Sequence, residues 1–341
     1  MSMTRRRLLG RLLAMGAMAG VVAGVASRRA RAAAVPLRVG VLRYGTVSWE
    51  LDVIRRHGLD TAHGLALVSQ EFATGQATQV ALQAGQVDTI AVDWLWVARQ
   101  RAAQGPGGGA DWTFIPFSNV AGAVMVPAGS PVATLADLAG RRLGIAGGPL
   151  DKSWLILRAY AQRQAGIDLD RATEKTFGAP PLLANALAAG RLDALLTYWP
   201  FAARGQAAGQ RTLLTVEDAV SGLGIQGTPP IVGYVFSERW AKANGAVLDG
   251  FIAASRQARA LLTENEAEWP SLRPLADAGS DAEFLALRDW YRRGIPPHWG
   301  PAEWQAAARL YQVLAAVGGP ALVGDGGDTL PAGTFWRASS W

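Results

Sequence analysis

The stretch Ala81-Leu82-Gln83-Ala84-Gly85-Gln86-Val87-Asp88 recurs 105 residues later as Ala186-Leu187-Ala188-Ala189-Gly190-Arg191-Leu192-Asp193. The similarity continues to Arg99 and Arg204, and eight of the nineteen aligned positions are identical. Each copy has the pattern of a helix end, a glycine turn, an aspartate and a buried strand, followed by a tryptophan that leads into another helix. The repeat predicts two lobes of similar construction.

Strands and helices alternate on both sides of this repeat. Three apolar runs predict strands, at 37–42, 66–72 and 87–92. Helical spacing follows each of them, at 47–56, 77–84 and 94–104. Further strands are predicted at 121–126, 143–146 and 231–236, and then only helices, at 244–262, 281–292 and 301–316. The alternation predicts parallel sheets covered on both faces, with the last helices packed on the first lobe.

Two lobes in one chain require segments that connect them. The chain passes to the second lobe near 118–126 and returns near 228–236. The predicted organisation is lobe 1 at 33–120 and 232–341, and lobe 2 at 121–231. The predicted fold class is therefore α/β, with two doubly wound lobes. Ligands of such sheets bind outside the carboxyl ends of the strands, so we expect the site in the cleft between the lobes.

The basic character of the chain lies almost wholly at its N-terminus. The net charge is +6, but residues 1–32 contain seven arginines and no acidic residue, and 26 basic and 27 acidic residues remain without them. Thr4-Arg5-Arg6-Arg7-Leu8-Leu9, an apolar stretch at 12–26 and then Ala30-Arg31-Ala32 resemble a twin-arginine signal peptide. We expect cleaved export to the periplasm and no nucleic-acid partner; an uncleaved anchor and a misassigned start are the alternatives.

Two residue types needed by many catalytic sites are scarce. The chain has no cysteine, which excludes disulfides, thiolate metal sites, cysteine nucleophiles and iron–sulfur clusters. Its three histidines, His57, His63 and His298, lie well apart in sequence, which leaves few members for a zinc site or a serine–histidine triad. We expect no cofactor, no metal site and no enzyme activity.

Several segments together resemble the nitrate/sulfonate/taurine type of ABC-transporter solute-binding protein, a type II periplasmic binding protein. These are the strand 37–42, the pattern Leu82-x-x-Gly85-x-x-Asp88, the segment from Ser130-Pro131 through Asp137 to Gly144, and Tyr234. The resemblance implies a monomer that captures a small solute by hinge closure and delivers it to a membrane permease and its ATPase. The implied solute is a sulfonate- or nitrate-like anion or a small heterocyclic compound.

Two other classes of function remain as alternatives. The family also resembles the pyrimidine synthase of thiamine biosynthesis, but that enzyme relies on a histidine and a cysteine-rich segment, and this chain has no cysteine. A sensory protein that presents the binding lobes to a membrane partner is the third possibility.

Aromatic residues follow the strands whose ends should line the cleft. Tyr44, Thr46 and Trp49 follow the first strand, and Asp93 and Trp94 follow the third. Tyr198 and Trp199 are the repeat partners of Asp93 and Trp94 in lobe 2. Aromatic walls from both lobes would suit an organic ligand with an apolar or π-bonded body. The alternative for Trp94 and Trp199 is that they are core residues. Tyr234 is a further candidate that the resemblance implies.

Two helix starts offer polar groups to the same cleft. Thr74-Gly75-Gln76 opens one helix of lobe 1, and Gly147 to Ser153 opens a helix of lobe 2. Free backbone N–H groups at such positions favour an anion, and Lys152 would add positive charge. The candidate residues here are Thr74, Gly75, Gln76, Gly148, Asp151, Lys152 and Ser153. The alternative at the second start is an ordinary helix capped by Asp151.

Four carboxylates in the same loops predict a different ligand. Glu50, Asp52, Asp93 and Asp151 would repel an anion. If several of them converge, they would hold a hard cation or an amine. Glu50 and Asp52 are two residues apart on a predicted helix and cannot share a face. Binding of a cation or an amine therefore stays an alternative to binding of an anion.

Overall fold

The computed structural model describes residues 34–103, 110–227, 229–324 and 327–341, and they form two lobes with one five-stranded sheet each. The sheet of lobe 1 contains β1 (Val35–Leu42), β2 (Leu65–Phe72), β3 (Thr89–Asp93), β4 (Trp112–Ser118) and β10 (Val232–Ser237). The sheet of lobe 2 contains β5 (Gly122–Val126), β6 (Arg142–Ala146), β7 (Glu174–Gly178), β8 (Ala194–Tyr198) and β9 (Arg211–Thr215). The predicted export signal at 1–32 lies outside the described residues.

The two sheets have the same strand order, β2-β1-β3-β10-β4 and β7-β6-β8-β5-β9. β10 is antiparallel to both of its neighbours, and so is β5. The prediction of purely parallel sheets was therefore wrong. The chain leaves each lobe at the carboxyl ends of its parallel strands and enters the other lobe at the same edge. The first strand after each crossing must consequently run in the opposite direction.

Helices cover both sheets. Those before the first crossing are α1 (Val47–Arg56), α2 (Leu59–Ala62), α3 (Gly75–Gln83) and α4 (Trp94–Ala102). Those between the crossings are α5 (Lys152–Ala165), α6 (Leu169–Ala172), α7 (Pro180–Ala188), α8 (Trp199–Ala207) and α9 (Val216–Gly222). The last are α10 (Glu238–Ala243), α11 (Gly245–Glu264), α12 (Trp269–Ala276), α13 (Asp281–Gly294), α14 (Pro301–Gly318) and α15 (Pro320–Val323). Within the described ranges, none of these helices combines the length and the apolar character needed to span a bilayer.

The hydrophobic core divides by sheet face and not by lobe. Along β5, Ala123 and Met125 belong to one apolar cluster, and Val124 and Val126 belong to the other, as the alternation of a strand requires. Each cluster also contains residues from the sheet of lobe 1. Apolar packing is therefore continuous from one lobe to the other on both faces.

The C-terminal helices contact both lobes, which corrects the prediction that they pack on lobe 1 alone. Helix α11 packs against α1 of lobe 1, but α13 packs against α8 and α14 packs against α5, both of lobe 2. Arg204 on α8 donates hydrogen bonds to the carbonyl oxygens of Ala276 and Asp277 at the end of α12. The division into 33–120 with 232–341 and 121–231 stays a prediction.

The sequence repeat is also a repeat of geometry. Gly85 and Gly190 both adopt a φ of +69°, the left-handed conformation that suits glycine after a helix end. In both copies the N–H of the residue after the glycine, Gln86 or Arg191, donates to a carbonyl oxygen in the last turn of the helix at 2.9 Å. The two glycine turns are therefore the same helix-ending motif.

The aspartate that follows each turn pairs with an arginine on the neighbouring strand. Asp88 accepts bonds from the guanidinium of Arg38 at 2.6 and 3.1 Å, and from its backbone N–H at 2.8 Å. Asp193 accepts the corresponding bonds from Arg142 at 2.7, 3.0 and 2.9 Å. The same bidentate pair therefore fixes β1 to β3 in lobe 1 and β6 to β8 in lobe 2.

Candidate functional site

Residues from both lobes lie at the edge where the parallel strands end. Strands β1 and β3 lead into Tyr44 and Asp93 in lobe 1, and β8 ends at Tyr198 in lobe 2. Tyr44 contacts Phe201 on α8 of lobe 2, with the ring centroids 6.1 Å apart in an edge-to-face arrangement. The two lobes therefore approach each other at the position where the topology places a ligand cleft.

Tyr198 is the residue at which charged groups from the two lobes meet. Its hydroxyl donates a hydrogen bond to Oδ2 of Asp151 at 3.0 Å. Burial, together with the negative charges of Asp151 and Asp93, raises the pKa of Tyr198 well above its ordinary value. The hydroxyl therefore stays protonated and acts as a donor.

Lys152 and Asp151 form a nearly buried ion pair beside this tyrosine. Nζ of Lys152 lies 3.5 Å from Oδ2 of Asp151, and both side chains are 8% exposed. The same Nζ lies 4.6 Å from the centroid of the Tyr198 ring, within cation–π range. Asp151 also caps α5 by accepting the N–H of Ser153 at 2.8 Å. Because Asp151 compensates both the lysine and the helix start, this loop offers little uncompensated positive charge to an anion.

The other residues of this helix start divide between the cleft side and the core. Gly148 is half-buried in the loop before Asp151. Ser153 is 2% exposed, and its hydroxyl has no hydrogen-bond partner within the described part of the chain. It lies among apolar residues that include Leu196 and Ala219, so it faces the core of lobe 2. A contact between Ser153 and a ligand stays a prediction.

On the lobe 1 side, two helix starts keep polar groups at the strand ends. Asp93 caps α4 by accepting the N–H of Trp96 at 2.9 Å. Thr74 caps α3 by accepting the N–H of Ala77 at 3.1 Å. Gly75 is half-buried, and the Thr74 and Gln76 side chains are exposed, so they are available to a ligand at this edge.

Four candidates from the sequence are core residues. Trp49 is 3% exposed, its ring packs against Trp199, and its indole N–H donates to the carbonyl of Leu275 at 3.3 Å. Trp94 is 1% exposed among aromatic side chains of the C-terminal region. Thr46 and Tyr234 are also buried. Trp94 and Trp199 are therefore buried in the core, as the alternative interpretation predicted. Trp49 is buried in the same way.

The four loop carboxylates do not converge. Glu50 is fully buried and accepts hydrogen bonds from Tyr234, Ser255 and Arg259 at 3.0, 2.6 and 2.7 Å. Asp52 pairs with Arg56 on the next turn of α1. In the residues that the structure covers, no three acidic or histidine side chains are placed to hold a metal ion. Of the four, Asp93 and Asp151 are the two whose negative charges raise the pKa of Tyr198.

Two residues near the cleft and the crossings were missed by the sequence reasoning. Phe201 contacts Tyr44 and lies two residues after Trp199 in the second copy of the repeat. Glu217 follows the carboxyl end of β9 and accepts the backbone N–H of Ala121, in the first crossing, at 2.8 Å. The rule that selects loops after parallel strands would have found Glu217 if β9 had been recognised in the sequence.

Comparisons with known proteins agree with this architecture. Residues 117–268 match the family model described as NMT1/THI5 like. The periplasmic aliphatic sulphonate binding protein SsuA from Escherichia coli is 22% identical, with a TM-score of 0.69 over 89% of this chain and 92% of that one. The alkanesulfonate-binding protein SsuA from Xanthomonas axonopodis pv. citri, bound to MOPS, is also 22% identical, with a TM-score of 0.66 over 89% and 98%. The comparison with curated protein sequences gives no match.

A more distant solved structure has the same fold. It is the ligand binding component of an ABC-type import system from Staphylococcus aureus with zinc bound, 14% identical with a TM-score of 0.63 over 89% of this chain and 99% of that one. The fold inferred from the sequence is therefore confirmed: the chain has the two-lobed α/β fold of these periplasmic binding proteins, and residues 117–268 match the NMT1/THI5-like family model.

Proposed function

We propose that this protein is the periplasmic solute-binding component of an ABC importer, which captures a small organic solute by hinge closure and delivers it to a membrane permease. The two lobes, the strand ends that face each other and the similarity to sulfonate-binding proteins support this role. The signal-like sequence at 1–32 supports export to the periplasm. The role is binding without chemical conversion of the solute.

The observation that carries the ligand class is the group of residues around Tyr198. Tyr44 and Phe201 provide ring faces and edges from the two lobes, and the Tyr198 hydroxyl is held as a donor. Asp93 and Asp151 bring two negative charges against the one positive charge of Lys152. A small heterocyclic compound with a ring to pack and N–H groups to donate fits this combination better than a bare oxyanion.

An alkanesulfonate is the second candidate. The solved structures that resemble this chain include sulfonate-binding proteins, one of them with MOPS bound. Lys152 and the exposed Thr74 and Gln76 are the groups that would contact a sulfonate. The Asp151–Lys152 pair would have to separate for the lysine charge to reach it.

Thermal unfolding against a ligand panel tests the proposal. The purified protein is unfolded and refolded to remove carried-over solute, and then heated with aminopyrimidines, aliphatic sulfonates, nitrate, primary amines or divalent metal ions. A ligand at ~100 times its dissociation constant adds ~2.7 kcal/mol, or roughly 5–10 °C at this size. We expect the largest shift from a heterocyclic compound. A shift with nitrate or a metal ion alone would overturn the ligand class.

A matched pair of tyrosine variants then locates the site. Tyr198→Phe removes the hydroxyl that lies between the lobes, and Tyr160→Phe removes one from α5, on the side of lobe 2 next to Gly222. We expect about tenfold weaker binding in Tyr198→Phe, equivalent to ~1.4 kcal/mol, and no change in Tyr160→Phe. Equal affinities in both variants would place the ligand elsewhere. Recovery of a chemically altered ligand from the denatured complex would instead indicate an enzyme.

A further inference from the structure

A cavity of about 520 Å³ lies beside the two crossings between the lobes. Asn119 of the first crossing and Ile231 of the second line it, together with Glu217 and Val220 on α9. We call this space the hinge cavity. Its volume falls in the range of small-molecule sites, and none of the residues assigned to the cleft around Tyr198 lines it.

Asn119 forms the part of the cavity wall that belongs to the first crossing. The residue is 7% exposed, and its backbone N–H donates to the carbonyl oxygen of Gly294 at 2.8 Å, which holds the residue in place. Its Oδ1 atom is closed to solvent, so Asn119 shapes the cavity and is assigned no contact with a ligand.

Glu217 presents a half-buried carboxylate to the hinge cavity. One carboxylate oxygen accepts the N–H of Ala121 at 2.8 Å, and the carboxylate also accepts the backbone N–H of Glu217 itself. Burial raises the pKa of Glu217 to about 7. The charges that face it are those of Arg293 on α13, which lowers the pKa, and of Asp218 on α9, which raises it. The group is therefore charged above neutral pH and largely neutral below it.

The rest of the hinge cavity is mainly apolar. Val220, Ile225 and Ile231 are each less than 8% exposed, and Pro229 completes this side. The Glu217 carboxylate and the apolar wall beside it match a molecule with an N–H-rich cationic head and a short hydrocarbon body.

We propose that the hinge cavity is a second binding site, which takes a small primary ammonium compound on Glu217 with its alkyl chain against Val220 and Ile225. This site lies outside the cleft proposed for the transported solute. An occupant would lie beside both crossings and would therefore bind with different affinity to the open and closed arrangements of the lobes.

The probe is n-butylammonium, and its control is n-butyltrimethylammonium, which has the same charge and alkyl chain but no N–H donor. Binding to the purified protein is measured by saturation-transfer NMR and titration calorimetry. We expect saturable binding of the first and at least tenfold weaker binding of the second. Equal binding of both probes would show that the carboxylate oxygens are not used as acceptors, and would overturn the proposal.

Three variants test whether the probe binds in the hinge cavity. Glu217→Gln keeps an acceptor for the Ala121 N–H and should weaken n-butylammonium binding at least tenfold. Asp218→Asn makes the same change of charge on the adjacent, exposed residue. The affinity of this variant for n-butylammonium should stay within twofold of the unmodified protein. Ser221→Phe, on the cavity lining, should block the probe while it keeps the carboxylate.

The affinity for the probe should also depend on pH. With a pKa of about 7, the charged fraction of Glu217 falls about tenfold between pH 8 and pH 6, and the affinity should fall with it. Circular dichroism confirms the fold of each variant. Binding that does not change with pH and survives in Glu217→Gln would place the probe away from Glu217 and would overturn the proposal. The test uses no Tyr198 variant, so its failure would not bear on the proposed solute cleft.

Discussion

The two copies of the repeat share the arginine–aspartate pair that joins neighbouring strands, and they differ at the ends of β3 and β8. Asp88 and Asp193 make the same bidentate contact with an arginine on the neighbouring strand. Five residues further along, lobe 1 has Asp93, whose carboxylate caps the next helix, and lobe 2 has Tyr198, which leaves its helix without a side-chain cap. The duplicated unit therefore keeps its scaffold and changes the residue that faces the cleft.

A second difference lies in the first helix of each lobe. Trp49 on α1 and Trp154 on α5 are 105 residues apart, the same offset as in the repeat, and both are buried. The residue after each tryptophan differs. Glu50 in lobe 1 forms a buried ion pair with Arg259, and Leu155 in lobe 2 is an ordinary core residue. The cores of the two lobes are therefore held by different kinds of contact.

The largest expected effect comes from breaking that buried ion pair. Glu50→Ala leaves the Arg259 guanidinium buried without a counter-charge, with the carbonyl oxygen of Pro116 and the ring of Phe117 as its remaining contacts. Loss of one member of a buried pair costs about 3–5 kcal/mol, so urea unfolding should show a decrease in stability of this size. Asp52→Ala, two residues away and paired only with Arg56, is the control and should cost less than about 1 kcal/mol.

The double variant Glu50→Leu with Arg259→Met makes lobe 1 resemble lobe 2. It should recover most of the lost stability, because both charges are then replaced by apolar groups. If Glu50→Ala lowers the free energy of unfolding no more than Asp52→Ala does, the buried ion pair that distinguishes lobe 1 from lobe 2 does not contribute to stability.

Substitution of the two turn glycines tests the part that the copies share. A Cβ atom at Gly85 or Gly190 would meet no other atom within 4 Å, so alanine adds only the strain of a positive φ. Each Gly→Ala change should cost roughly 1–2 kcal/mol, and each Gly→Asn change less, because asparagine tolerates the left-handed conformation. Thermal unfolding of the four variants measures this. A clearly larger cost at one glycine would show that the two turns are not equivalent.

Much of the fold was predictable because it depends on local patterns. The helix predicted at 47–56 is found at Val47–Arg56, and the repeat at Gly85 and Gly190 is found as two equal turns. Strands β5 and β10 were predicted at 121–126 and 231–236, but their antiparallel direction was not predictable from apolar runs, because strand direction depends on the edge at which the chain enters a lobe. The contacts of α13 and α14 with lobe 2 depend on tertiary packing in the same way.

The candidate site was predictable as a set of loops but not as a set of side chains. The strand ends correctly place Tyr44, Asp93 and Tyr198 at one edge of the sheets. Trp49 follows the same strand as Tyr44, but it lies in the first turn of α1 with its ring turned into the core. The position of a residue in the first turn of a helix decides the direction of its side chain. The sequence pattern alone does not show which face of the helix is covered by the rest of the protein.

The smallest expected effect tests whether the two arginine–aspartate pairs are equivalent. Hydrogen bonds from Arg142 lower the pKa of Asp193 from 3.8 to about 2. A carboxylate with a lowered pKa adds stability that is complete above its unfolded value near 4 and is lost as the pH falls through about 2. Asp193→Asn should therefore cost about 1 kcal/mol at pH 5, allowing for solvent screening of a partly exposed pair.

The cost should fall to roughly a third between pH 5 and pH 2.5 and approach zero only below pH 2, measured by urea unfolding from pH 5 to pH 1.5. Asp88→Asn at pH 5 provides the comparison, since Asp88 makes the same three bonds with Arg38 at nearly the same distances. A similar cost in both variants at pH 5 would mean that duplication preserved the energy of this contact as well as its geometry. A deficit in Asp193→Asn that stays constant down to pH 2.5 would show that the aspartate acts through packing and not through its charge.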